Sequence, residues 1–303
     1  MRNTRMMKWM LIGLLAVTSL AHAQAPDASD PQAVAKMQQF IASLHFKEGE
    51  IAVPGAQARF KLGPDFGYLE QADARRVVEQ LWGNPPDESV LGLVVPRGRG
   101  LLDEHGWAVV VTYSDDGYVS DEDAAKIDYA SMLEDMQEET RDANGERKDA
   151  GYQTVDLVGW AVPPRYDAAS KKIYWAKELD FAGTPQHTLN YDIRVLGRRG
   201  YLSLNAVAGM SDLSDVQAGM QQLLPMTGFD SGSRYADYDA KSDKLAAYGI
   251  AALIGGGIAA KAGLFAKLGV LLLAGKKFVV LLLAGIVALW RKLAGKDKTG
   301  VVR

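Results

Sequence analysis

The chain has 303 residues with 34 Lys and Arg against 37 Asp and Glu, a formal net charge of −3, and no cysteine. The missing cysteine excludes a disulfide framework, thiolate metal sites and a cysteine nucleophile together, and a chain this long can bury enough core to fold without staples. Charge is partitioned, with 22 Lys and Arg against 36 Asp and Glu in residues 24–244 (net −14) and nine basic residues against Asp297 alone in residues 245–303 (net +8), so the acidic body is not expected to bind nucleic acid, which is held by neutralising its phosphates.

Arg2, Arg5 and Lys8 form a positive leader, residues 9–20 are an uncharged and mainly apolar run, and Ala21-His22-Ala23 has the small-x-small pattern of a cleavage site. About twelve apolar residues do not comfortably cross a hydrocarbon core of roughly 30 Å. Residues 1–23 are therefore expected to be a cleaved signal peptide, with the mature chain beginning near Gln24 and exported. Residues 24–30 look like a short disordered leader.

Residues 46–53 and 59–62 are expected to form an early strand pair. Ala74, Val77, Val78 and Leu81 recur at helical spacing and end before Asn84-Pro85-Pro86, which predicts a helix stopped by proline. The run WAVVVTY at 107–113 is rich in β-branched and aromatic residues, as strands are. The acidic cluster at 115–123 lacks the alternation and glycine position of a calcium loop. It is expected instead to make a turn at Asp116-Gly117, with Ser120 capping the next helix and Asp123 at the capping-box position. Tyr129, Met132, Leu133 and Met136 place that helix within residues 122–141.

Trp160, Tyr166, Tyr174 and Trp175 are aromatics that could line a ligand groove or a partner surface, but at this spacing they more often fill a sheet core. Residues 173–179 predict a strand. Alternation is clearest at Tyr191, Ile193 and Val195, with Asp192 and Arg194 between, and Gly197-Arg198-Arg199-Gly200 turns the chain into a partner strand at 201–207. Val216, Met220, Leu223 and Leu224 mark a further helix with Ser214 as N-cap, Gln217 three residues on, and Pro225 at its end. Residues 230–244 are expected to lead towards a membrane. Strands and helices do not alternate strictly, so the fold class is α+β: a mainly antiparallel sheet with packed helices, plus C-terminal transmembrane helical segment(s).

The C-terminus carries the strongest signal. Residues 245–260 hold no charge, and Ala247, Ala251, Gly255, Ala259 and Gly263 recur every four residues. Small residues at that spacing let helix backbones approach inside a bilayer, so these five are the expected helix-packing residues. In residues 268–290, fourteen Leu, Ile, Val and Phe favour insertion by roughly 4–8 kcal/mol in total, and Lys276 with Lys277 costs about 5–7, which leaves the number of crossings open. The expected organisation is a signal peptide at 1–23, a periplasmic domain at 24–244, membrane-associated helices at 245–290 and a basic tail at 291–303.

No catalytic, cofactor or metal site is predicted. His45, His105 and His187 remain after cleavage, none in a nucleophile or zinc motif, and there is no G-x-S-x-G, H-E-x-x-H or P-loop. The segments GYVSDEDA (117–124), YDAASKKIYWAKEL (166–179), LNYDIRVLGRRGYLSLNAVA (189–208), RYADYD (234–239) and KLAAYGIAALIGGGIAAKAGLFAKL (244–268) resemble bacterial domain of unknown function family 2167. The resemblance runs over nearly the whole mature chain and implies a membrane-anchored envelope protein of a Gram-negative-type bacterium, with no catalytic residues to transfer.

The expected function is that of a non-enzymatic binding or assembly module on the periplasmic side of the inner membrane. Its expected partners are the lipid bilayer and a protein or a second copy met through the C-terminal helices. Two alternatives stay open. One is an accessory subunit of an envelope transporter, with Lys276 and Lys277 pairing to a partner's acids. The other is a hydrolase or small-ligand enzyme using one of the three histidines with a carboxylate.

Overall fold

In the computed structural model of the protein, the described residues are 31–255 with the exception of 85 and 104. Helix α1 (Pro31–Ala42) leads into strands β1 (Phe46–Lys47), β2 (Gly49–Val53), β3 (Ala58–Leu62) and β4 (Phe66–Glu70). Helix α2 (Gln71–Arg75) continues as a π-helical stretch, Arg76–Leu81. Then come β5 (Val90–Pro96), β6 (Ala108–Ser114), β7 (Tyr118–Ser120) and helix α3 (Tyr129–Asp149). Two long hairpins follow, β8 (Val155–Asp167) with β9 (Lys172–Phe181) and β10 (Thr188–Leu196) with β11 (Tyr201–Gly209). Helix α4 (Leu213–Leu223), β12 (Thr227–Phe229), β13 (Leu245–Gly249) and α5 (Ile250–Gly255) close the described chain.

The main sheet has eight strands in the order β1-β4-β5-β6-β11-β10-β9-β8, every neighbouring pair antiparallel. A second antiparallel sheet, β12-β3-β2, and a parallel pair, β13 with β7, complete an α+β fold with a mainly antiparallel sheet. The expected hairpin is present with Leu196 opposite Tyr201, and the amide of Gly197 closes its turn on the carbonyl of Gly200 at 2.8 Å.

Period-2 patterning divides the main sheet into two faces. On the first, Leu189, Tyr191, Ile193, Val195, Leu202, Leu204 and Val111 pack under the small sheet and α4, with Phe60 and Met220 in the same cluster. On the second, the helices sit at opposite ends. The α2 region brings Ala74, Val77, Val78 and Leu81 against Leu69, Leu93 and Val110. Helices α3 and α5 bring Met132, Met136, Ile250 and Leu253 against Ile173, Trp175 and Leu179. Burying each such side chain contributes about 1.5–3 kcal/mol.

Several expectations need correction. The run at 46–53 is split at Gly49 (φ 77°), so β1 joins the main sheet while β2 pairs with β3. Helix α3 starts at Tyr129 rather than near 122, because Asp128 supplies its cap through Ala130 and Ser131. Ser214 lies inside α4, and Asp212 holds the N-cap position without a side-chain cap bond. Residues 155–167 form a strand in spite of Pro163 and Pro164. β8 is an outer strand with three register shifts against β9, so missing amide donors are tolerated there.

The largest correction is at the C-terminus. Leu245–Gly249 is a strand paired with β7, and α5 packs into the domain core. The domain therefore runs past residue 244, and Ala247 does not share a helix with Ala251 and Gly255. Within α5, Ala251 packs on the domain's own core and Gly255 is buried. Ala259 and Gly263 lie outside the described residues, as do the signal-peptide segment, residues 268–290, Lys276, Lys277 and the basic tail. Among the described residues no helix is long and apolar enough to cross a membrane.

Candidate functional site

Between the two helical ends of the second face lies a strip of polar side chains on β9, β10 and β11. The antiparallel register sets it out in rows: Trp175, Asp192 and Asn205; Lys177 and Asn190; Arg194 and Ser203. All are buried except Arg194, whose side chain is only 13% exposed. The sequence places polar residues at every second position of β10 because the opposite face must be Leu189, Tyr191, Ile193 and Val195. That alternation is the same whether the polar face meets water or not, so nothing local marked these residues as buried.

Asp192 is the hub. Its Oδ1 accepts from Nη1 of Arg194 at 3.0 Å and from Nδ2 of Asn205 at 2.9 Å. The ammonium of Lys177 stands 3.3 Å from Oδ2, off the hydrogen-bonding direction, as an ion pair between side chains 8% and 4% exposed. Asn190 donates to Oδ1 of Asn205 at 3.0 Å, which extends the chain. Burial pushes the Asp192 carboxyl up, but the charges of Lys177 and Arg194 and the Asn205 hydrogen bond outweigh it and hold the group below the usual carboxylate range. The guanidinium of Arg194 sits 5.0 Å from the Trp175 ring centre and 5.9 Å from that of Tyr201, within cation–π distance of both. The indole N–H of Trp175 is buried with no acceptor.

The histidines each meet a carboxylate. Nδ1 of His45 is 3.0 Å from Asp73, that of His105 is 2.8 Å from Asp212, and that of His187 is 2.6 Å from Glu178. The rings are 86%, 57% and 41% exposed, whereas Asp212 is 5% exposed. The hydrogen bond that His187 donates to the Glu178 carboxylate raises the His187 pKa above its ordinary value. His105 and His187 sit at the same end of the central strands, where the amide of Met210 bonds the His187 carbonyl. His45 lies apart, beside α2. Among the described residues no group of three or more His, Asp or Glu is arranged to hold a metal.

The aromatics divide between faces. Tyr174 packs on the first-face core, while Trp160, Tyr166 and Trp175 belong to the core under α3. Trp160 donates to the Tyr129 carbonyl at 3.3 Å. The acidic cluster forms the expected turn at Gly117 (φ 109°), but its carboxylates reach distant segments rather than the next helix. Asp116 accepts from Ser114 at 2.5 Å and from Tyr248. Asp121 accepts from Tyr166 at 2.5 Å and Lys171 at 2.7 Å. Asp123 accepts from the amides of Ile250 at 3.0 Å and Ala251 at 3.2 Å, so it caps α5 from 127 residues away. At Gly249 a Cβ would collide with that carboxylate, which is why glycine precedes the helix. Arg198 adds a two-pronged pair to Asp243, at 2.7 and 3.0 Å.

A family model described as "Protein of unknown function (DUF2167)" matches residues 45–287. No curated protein matches the chain. Among solved structures, cyanobacterial PsbP (CyanoP) from Synechocystis sp. PCC 6803 is similar at 12% identity, covering 63% of this chain and 94% of that one with a TM-score of 0.33. The Ran-binding protein Mog1p from Saccharomyces cerevisiae is similar at 10% identity, covering 61% and 95%, with a TM-score of 0.31.

Proposed function

The chain belongs to DUF2167, a family of proteins of unknown function, and on that footing we propose that it is a non-enzymatic binding or assembly module of the cell envelope, held at a bacterial inner membrane with its acidic domain in the periplasm. Residues 1–23 are the export signal, and the anchor is drawn from the apolar sequence beyond Gly255. The partners are the bilayer and a protein component of the envelope.

One observation carries this reading. The segment leading to the apolar sequence is built into the domain: β13 pairs with β7, Asp123 caps α5, and Tyr248 bonds Asp116. The folded domain therefore continues up to the start of the apolar sequence beyond Gly255, which supports a short connection between the domain and an anchor drawn from that sequence. The basic residues that follow support a cytoplasmic contact for the tail. Alkaline carbonate washing of membranes carrying the full chain is expected to leave it in the pellet, and release into the supernatant defeats the proposal. Purification in mild detergent is expected to bring a protein partner in fixed ratio. A transport complex among the co-purified chains would favour the accessory-subunit role.

The His105–Asp212 couple favours a second reading, a small-ligand enzyme, because a buried carboxylate orients an exposed imidazole as a general base. Any hydrolysis by the purified chain that survives His105→Ala removes that reading.

A further inference from the structure

We infer that the polar strip on β9, β10 and β11 is a binding site for a small oxyanion, a carboxylate or a phosphate, held by Arg194, Lys177 and the indole N–H of Trp175. The inference stands whether or not the C-terminus enters a membrane.

Charge is the first ground. Lys177 and Arg194 oppose Asp192 alone, so the buried strip carries one positive charge in excess. An uncompensated charge away from water is costly, and an anion seated on it removes that cost. Donor count is the second. The Trp175 indole N–H is donor-only, 1% exposed and without an acceptor. Arg194 spends Nη1 on Asp192 and on the Ile193 carbonyl, and its Nε and Nη2 make no hydrogen bond among the described residues. Asp192 accepts through Oδ1 and Asn205 through its own Oδ1, while Asp192 Oδ2 is buried beside Lys177 without a hydrogen bond. The unpaired donors of Trp175, Arg194 and Lys177 outnumber that one oxygen, and a group with several acceptor oxygens fills the difference.

Geometry is the third ground. The guanidinium lies within cation–π distance of both Trp175 and Tyr201, and its charge partner among the described residues, Asp192, is met through Nη1, which leaves the Nε and Nη2 side of the fork for a ligand. A fixed fork pairs with two oxygens of one carboxylate or phosphate, which a flexible ammonium cannot do. Arg194 is also the most exposed of the three charged side chains, at 13% against 8% for Lys177 and 4% for Asp192, so the ligand enters at its end.

The test uses the full chain, ¹⁵N-labelled in mild detergent, titrated separately with inorganic phosphate and with acetate at constant ionic strength made up with chloride. The Trp175 indole resonance is assigned by its loss in Trp175→Phe. A saturable shift of that resonance with a matching rise in Tm is expected for at least one anion, and which one responds tells a phosphoryl from a carboxylate site. Arg194→Met is expected to weaken binding at least tenfold. If that variant does not fold, Arg194→Lys, which keeps the charge and loses the fork, is expected to do the same. No saturable shift with either anion overturns the inference. So does a shift unchanged in the folded Arg194 variant, or one that chloride alone reproduces.

Discussion

Asp192 shows how much a single carboxylate can hold in place. It neutralises Lys177, positions Arg194 and ends the Asn190–Asn205 chain, all away from water. Removing one partner of a buried pair leaves the other charge stranded, so Asp192→Asn is expected to lower stability by about 3–5 kcal/mol at neutral pH. Because the folded-state pKa is depressed, this contribution is fully present above the unfolded value of about 3.9 and is lost as pH falls through the lower folded value. Urea titrations of wild type and Asp192→Asn should therefore converge as the pH is lowered from about 4. A gap that stays constant down to strong acid would show that Asp192 acts through shape rather than charge.

At the scale of elements, the hairpin of β10 and β11 was legible because period-2 alternation and a glycine-bounded turn are local signals. So were the apolar stripes of α2, α3 and α4. The burial of Asp192 and Lys177 was not, since it depends on helices placed at the two ends of the sheet by distant sequence. Strand β8 was obscured by Pro163-Pro164, and β13 by alanines that suit the start of an apolar helix equally well. Asp123 escaped for the same reason: its partner is 127 residues away, and a first-turn acid before α3 offered a nearer role. Asp123→Ala is expected to cost about 0.5–2 kcal/mol, the usual value of a lost cap, and to speed amide exchange at Ile250 and Ala251. Unchanged protection at both amides would mean that the β7–β13 pairing alone fixes the end of the domain.

For the whole molecule, the charge partition and the fold now describe one object with a different boundary. The acidic domain does not hand over to the apolar sequence at residue 244 but incorporates the first eleven residues of it, as β13 and α5. The sheet that organises the domain has two outer strands of contrasting form. β1 is only two residues long, and β8 is interrupted by prolines and register shifts. Neither presents the long, regular row of amides and carbonyls that a second sheet needs to dock alongside. Restoring that row with Pro163→Val and Pro164→Thr is expected to leave the fold intact and to increase light scattering on concentration; unchanged scattering would mean that the bulges suffice. Blunt sheet margins keep copies of the domain from joining sheet to sheet when concentrated, so a contact between copies, or with another protein, would be made by side-chain surfaces rather than by shared strands.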